Sequence, residues 1–305
     1  MDFYREIQDF VTQSGAGCTA MLLGGQAILK AVPSNGSILY ILPAEIKART
    51  AEEAAEEYHI RTEVRRLLQD TFHPGIMDDS HESTEGIQTV TIAEDRWRSQ
   101  NSLYKARLMS HLGRFRSIFA RNCSAERIDR RTANGFMDAN HNYGPSVCRY
   151  CYGLTEKASG RLVAAATFSN ARKWLKDGHE IRSYEWIRYA SENGTRIPGG
   201  MGKILKRFME DIRPDDIMSY ADLEWSDGNV YRKLGFREDG KKEPVLFTID
   251  PVDWSRKIFR TARTSGTMSH SGTESPTPGT AAGTDTLWYM NDGSLKYRLR
   301  LTVPE

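Results

Sequence analysis

No apolar run in this 305-residue chain approaches the roughly 18 residues that a membrane-spanning helix requires. A helical membrane span is therefore not expected. Cysteine is scarce, and Cys18, Cys123, Cys148 and Cys151 are too few to staple a chain of this length. The opening MDFYREIQDF is acidic and amphipathic, unlike a secretory leader. Both features predict a cytoplasmic protein. An excess of one charge is also lacking. The formal net charge is +2, so overall charge announces no nucleic-acid partner. Cys148 and Cys151 have the spacing of half a zinc site, but no second C-x-x-C and no matching histidine pair accompanies them. No metal is predicted. The P-loop spacing G-x-x-x-x-G-K-[ST] and the dinucleotide fingerprint G-x-G-x-x-G are both missing.

What is present is organised around residues 183–208, SYEWIRYASENGTRIPGGMGKILKRF. Residues 184–189 mix aromatic and β-branched side chains and predict a strand. Polar turn residues and the cluster Gly199, Gly200 and Gly202 follow. Ile204, Leu205 and Phe208 then mark one face of an amphipathic helix. Strand, glycine loop and helix start can cradle a phosphate: glycine lets the backbone come close, and the first helical N–H groups attract anions. Lys203 adds a charge in the first turn. The plain alternative is an ordinary helix entry. Residues 218–221 predict a second strand, followed after Asp222 by WSDGNVYRKLGF (225–236).

Together these pieces resemble the GNAT superfamily of acetyl-CoA-dependent N-acyltransferases. The family pattern R/Q-x-x-G-x-G/A falls on RIPGGMG (196–202), with Ile197 at the Gln or Arg position. Its Y-x-x-x-G-F segment falls on Tyr231, Gly235 and Phe236. Over residues 135–236 the chain is more closely similar to GNAT-like domains of phage and mobile elements, the broad group of the DNA-modifying Mom proteins. FMDANHNYG (136–144), LVAAATFSNAR (162–172) and YEWIRYAS (184–191) carry that likeness. The resemblance implies acetyl-CoA or another acyl-CoA as cofactor. Its pyrophosphate would lie on Arg196, Gly199, Gly200, Gly202 and Lys203, and its thioester carbonyl beside the backbone of Ile187 and Arg188. Glu185 is the implied general base and Tyr231 the acid that protonates the thiolate. His141, Asp222 and Ser226 are the candidate acceptor-binding residues. Each has a structural alternative: an ion pair with Arg188 or Arg172 for Glu185, a core aromatic for Tyr231, a loop-fixing imidazole for His141, and turn capping for Asp222 and Ser226. Glu224 stands where the family often has Asn.

In the first 120 residues, strands are predicted at 18–23, 27–32, 37–42, 87–92 and 117–120. Helices are predicted at 50–69 and 95–112, with a loop at 73–86. This alternation favours an α/β layer. TIAEDRWRSQNSLYKARLMSHLGRF (91–115) and IFARNC (118–123) resemble endonuclease-like domains of the very-short-patch-repair and PD-(D/E)xK type. Glu45 and Lys47 then fit an E-x-K on a strand, with surface charges as the alternative. Residues 15–44 hold no Asp or Glu to share a metal, so an inactive nuclease remnant is expected. Residues 99–131 carry eight Lys or Arg against two acids, an excess that suits either a DNA backbone or solvated helix faces.

Residues 259–286 are rich in Thr, Ser, Gly and Pro and predict a flexible linker. LWYMNDGSLKYRLRL (287–301) predicts a hairpin turning at Asp292-Gly293. The predicted fold class is α/β. A small nuclease-like α/β domain at 1–122 precedes a GNAT-like mixed sheet flanked by helices at 123–258, then the linker and a C-terminal hairpin at 287–305. Two functions stand side by side. One is an acyl-CoA-dependent N-acyltransferase of phage or mobile-element type, with a Mom-like nucleic-acid base among its candidate acceptors and DNA held by segment 99–131. The other is a non-catalytic DNA-binding or accessory protein with a relic GNAT fold.

Overall fold

The computed structural model describes residues 2–72, 88–176, 178–260 and 285–301. The loop expected at 73–86 and nearly all of the linker expected at 259–286 lie outside the described residues. Helix α1 (Phe3–Gln13) is capped by Asp2, whose carboxylate accepts the Tyr4 N–H at 3.2 Å, and it buries Phe3, Ile7 and Val11. Strands β1 (Gly17–Leu23) and β2 (Gln26–Val32) form a hairpin through Gly24 and Gly25, both in left-handed conformations open to glycine. β3 (Leu39–Ala44) runs antiparallel to β2, and α2 (Ala51–Phe72) lies between it in sequence and β4 (Gln88–Ala93), which pairs parallel to β3. The single helix expected at 95–112 is two, α3 (Glu94–Ser99) and α4 (Asn101–His111). At the break, Ser99 Oγ bonds the Asp95 carbonyl and Asn101 Nδ2 the Trp97 carbonyl, side chains that compete with the helical backbone.

The second half begins with β5 (Arg116–Ser117), shorter than the strand expected at 117–120, and a 3-10 turn at Ala120–Asn122. Next come β6 (Cys123–Arg127), α5 (Arg130–Asn140), β7 (Tyr150–Glu156), β8 (Leu162–Phe168), β9 (Arg172–Lys176) and β10 (His179–Ser191). Then follow β11 (Thr195–Arg196), α6 (Gly200–Ile212), β12 (Asp216–Asp222), α7 (Asn229–Lys233) and β13 (Arg237–Lys242). The chain closes with β14 (Leu246–Ile249), β15 (Arg256–Ile258), β16 (Leu287–Met290) and β17 (Ser294–Arg300). The large sheet has the order β13-β17-β12-β10-β8-β7-β6, with β9 on β10. Phe208 of α6 stacks on Phe168 at 3.9 Å and packs edge-on against Tyr152 and Tyr184, covering one face. Ala133 and Met137 of α5 are buried against the other face. The expected α/β mixed sheet flanked by helices is therefore present.

Two sequence expectations are corrected. The C-terminal hairpin does not form. β16 pairs with β14 in a three-stranded sheet, while β17 inserts between β12 and β13. Asp292 is the reason. Instead of capping an exposed turn, its buried carboxylate accepts Arg61 Nε (3.2 Å), Arg65 Nη2 (3.0 Å) and Thr91 Oγ1 (2.7 Å). The Asp-Gly corner thereby links two sheets. Glu45 and Lys47 are not on a strand either, since β3 ends at Ala44. They pair with each other at 2.7 Å on the surface, while the intervening Ile46 is buried. Among the described residues, no grouping of three or more His, Cys, Asp or Glu is placed to hold a metal ion. No helix among them is long and apolar enough to cross a membrane.

Candidate active site

β10 and β12 run parallel and touch over only three residues, Ser183–Glu185 against Asp216–Met218. Beyond them the strands part. On its other edge β10 is bulged between Trp186 and Arg188. Three successive carbonyls here are held by side chains: Trp186 O by Ser219 Oγ (2.9 Å), Ile187 O by Arg188 Nη1 (3.0 Å) and Arg188 O by the Trp186 indole N–H (3.0 Å). Trp186 packs with the α6-side core, whereas Ile187 packs on Ala133, Cys148 and Cys151 beneath α5. Glu185 is half-buried, and its backbone is tied to Ser169 in both directions; among the described residues its carboxylate forms no hydrogen bond or ion pair.

Tyr231 of α7 reaches this split. Its hydroxyl is 2.8 Å from Ser219 Oγ and donates to the Tyr220 carbonyl at 3.3 Å. Its ring stacks on Tyr297 at 5.2 Å and meets Phe236 edge-on. Burial raises the phenol's pKa, so it stays protonated and able to give a proton. Ser219 is a functional candidate that sequence reading missed. No spacing marks it, and only the register of β12 brings it between Trp186 and Tyr231.

The glycine loop is built as expected in outline. Gly199 caps α6 in the left-handed region (φ 75°). The Gly200 N–H already donates to the Ile197 carbonyl at 2.8 Å, which leaves the Met201 and Gly202 amides as the first of α6 without an acceptor one turn earlier. Gly200 is required for packing, because a Cβ there would lie 2.7 Å from the Tyr189 hydroxyl. A Cβ on Gly202 would meet Leu234 at 3.2 Å. Arg196 is exposed with its guanidinium 5.3 Å from the Phe115 ring centroid. Lys203 departs from its expected role: its ammonium donates to the Ala120 and Cys123 carbonyls, fastening α6 to the start of β6.

On the α5 side, His141 Nδ1 accepts the Tyr143 N–H at 3.1 Å. Burial, with help from Arg188 and Arg107, lowers its pKa to about 3, so the imidazole is neutral and fixes the loop. The Tyr143 hydroxyl donates to Asp222 at 3.4 Å, and the Arg188 guanidinium lies 5.4 Å from the Tyr143 ring. Burial raises the Asp222 pKa. Ser226 Oγ accepts the Gly228 N–H at 3.1 Å, and its own amide returns to the Asp222 carbonyl, so it closes the turn. Glu224 is buried and accepts the Tyr289 hydroxyl at 2.6 Å. Beside His141 and Tyr143 opens a cleft of about 590 Å³, walled on its far side by Arg96 and Gln100 of the N-terminal layer.

Several basic residues of 99–131 have partners within the fold. Lys105 lies over Phe10 and Trp97, Arg107 over Trp225, Arg121 over Phe119 and Arg127 over Tyr150. Arg116 pairs with Glu156 at 2.8 Å, and Arg130 donates to the Cys148 carbonyl. Cys148 and Cys151 are a buried free-thiol pair with sulfurs 3.4 Å apart.

No family model and no curated protein matches this chain. Similar solved structures include Eis1 from Mycobacterium abscessus, at 14% identity and TM-score 0.31, covering 42% of this chain and 33% of that one. The ribosomal-protein-S5-alanine acetyltransferase from Vibrio fischeri is similar at 12% identity and TM-score 0.32, over 56% of this chain and 94% of that one. A GNAT-family acetyltransferase from Bacillus anthracis is similar at 10% identity and TM-score 0.30, over 59% and 95%. At these TM-scores the likeness is coarse, and the site stands on its own residues.

Proposed function

We propose that this protein is an N-acyltransferase that moves an acyl group from a coenzyme A thioester to an amine in the split between β10 and β12. The observation that carries this reading is the junction of the β10 bulge with Tyr231, bridged by Ser219. The residues present fit such a cofactor. Gly199, the Met201 and Gly202 amides and exposed Arg196 would hold the pyrophosphate, and the Ile187 and Arg188 backbone would face the carbonyl. The bound cofactor supplies an activated acyl carbon and a thiolate leaving group. Glu185 would take the proton that turns an incoming ammonium into a nucleophilic amine, and Tyr231 would give its proton to the departing sulfur and regain one from the nitrogen, which sheds its second proton as the amide forms. Side chains on three carbonyls hold the bulge in place, and a backbone N–H of that bulge would donate to the charge that develops on oxygen.

The partners found for several basic residues of 99–131 do not single out DNA as the acceptor, and the amine is left general. The test is calorimetric titration with acetyl-CoA and with desulfo-CoA, followed by thiol release from acetyl-CoA in wild type and Tyr231→Phe. Binding that Tyr231→Phe preserves, with a rate reduced about 10²–10⁴-fold, is expected. Absence of binding at millimolar ligand defeats the proposal.

A further inference from the structure

Resting on that reading, we infer that Ser219 is the positioning residue of the acid: its hydroxyl turns from the Trp186 carbonyl to the Tyr231 oxygen when Tyr231 gives its proton to the departing sulfur. Ser219 is buried on β12 and has one proton to donate. Two acceptors compete for it, the Trp186 carbonyl at 2.9 Å and the Tyr231 oxygen at 2.8 Å. While the phenol is protonated, its own O–H is shared between Ser219 Oγ and the Tyr220 carbonyl at 3.3 Å, and Ser219 holds the bulge. A phenolate has no proton to share. The Tyr220 carbonyl then meets it lone pair to lone pair, and among the described residues Ser219 is the one hydrogen-bond partner able to donate to it.

The surroundings make that donor necessary. The Tyr231 ring lies 5.2 Å from Tyr297, 5.6 Å from Phe236 and 6.5 Å from Trp186, all three buried. Tyr297 of β17 is the titratable group stacked on it, and its hydroxyl is engaged elsewhere. It accepts Arg232 Nη1 at 2.8 Å and donates to the Asp227 carbonyl at 3.1 Å. Arg232, the neighbouring cation of α7, also bonds Asp227 and makes no hydrogen bond to Tyr231. From β10, the Trp186 indole N–H is spent on the Arg188 carbonyl. Burial raises the Tyr231 pKa and the Ser219 hydrogen bond lowers it, so the serine brings a buried acid back toward releasing its proton. Ser219 keeps its own proton throughout. The Tyr231 proton goes to the sulfur as the carbon–sulfur bond breaks. The phenolate then takes the second proton of the acylated nitrogen, and Ser219 returns to Trp186.

The test reads Tyr231 directly in the full chain, with difluorotyrosine in its place and fluorine NMR following its ionisation. The ring fluorines make the phenol acidic enough to titrate at a pH the fold tolerates. A hydrogen bond to a charged group corresponds to about one to two pH units. Ser219→Ala should raise the midpoint by that much, and Ser219→Thr, which keeps the hydroxyl, should bring most of it back. In thiol release from acetyl-CoA, Ser219→Ala should lower kcat about tenfold or more and leave desulfo-CoA binding unchanged. It should add almost nothing once Tyr231→Phe has removed the acid. An unmoved midpoint in folded Ser219→Ala, or a rate loss that persists in full on the Tyr231→Phe background, overturns the assignment. A midpoint that moves as expected in a protein that binds no acetyl-CoA keeps the coupling of Ser219 to Tyr231 and defeats only the acyltransferase reading.

Discussion

Two polar regions border the end of β12, and they are built on opposite principles. In the split around Ser219, Tyr231, Arg188 and the facing cleft, polar groups are held in place but incompletely matched. In the ionic knot below it, they are buried and answered almost group for group. Asp292 receives Arg61, Arg65 and Thr91, Asp95 receives Arg256 through both oxygens, and Glu224 receives the Tyr289 hydroxyl. The guanidinium groups of Arg61 and Arg256 lie against the Tyr289 ring at 5.0 and 4.7 Å. The knot is a joint, tying α2, β4, α3, β15 and β16 to the end of β12. The split is the proposed site. Pairing state, more than burial or charge, separates the two, because a satisfied buried group resists exchange and an unsatisfied one invites a ligand.

The contrast can be broken most forcefully at Asp292. Asp292→Ala leaves buried Arg61 and half-buried Arg65 without their carboxylate and should cost about 3–5 kcal/mol in a urea unfolding experiment. A loss near zero would mean that the knot opens easily to water. The glycine loop belongs to the site but is tightly packed at one point. Gly200→Ala should destabilise by about 1–3 kcal/mol through the 2.7 Å approach to Tyr189, and adding Tyr189→Phe should recover part of it. Without any recovery, Ile197 alone would be the obstacle.

Glu224 sharpens the comparison through pH. Burial first, then Asp222, raises its pKa from 4.5 to about 7. The folded chain therefore keeps a proton that the unfolded chain has released, and this group's contribution to stability declines as pH rises from about 4.5 to 7. Glu224→Gln keeps an acceptor for Tyr289 and removes the titration. Its melting temperature relative to wild type should rise between pH 5 and pH 8, and a constant difference would remove Glu224 from the account. The smallest effect is expected at Glu45 and Lys47. With side chains 44% and 71% exposed, their ion pair should be worth under about 1 kcal/mol, and Glu45→Ala should leave unfolding nearly unchanged.

Much of the central motif was legible from local pattern. The amphipathic face of α6, the Gly199 turn and the placement of Tyr231 beside Phe236 all follow from residues within a few positions of one another. Lys203 and the Asp292-Gly293 corner were misread for a common reason. Each has sequence chemistry that suits a local role, a phosphate contact or a hairpin turn, and each is claimed by partners some 80 to 230 positions away. His141 offered both a base and a loop anchor, and only the structure shows its Nδ1 accepting the Tyr143 N–H within its own loop.

The sequence by itself determined the strand–glycine–helix unit, the α/β alternation and the nearness of Tyr231 to Phe236, because helical and strand periodicity, turn conformation and capping are short-range properties. Tertiary structure alone decided that β17 enters the large sheet, that Ser219 bridges the bulge to Tyr231, and that Arg96 and Gln100 of the N-terminal layer face His141 and Tyr143. Those depend on strand register and on which buried charge finds which partner, and neither is encoded in the spacing of neighbours along the chain.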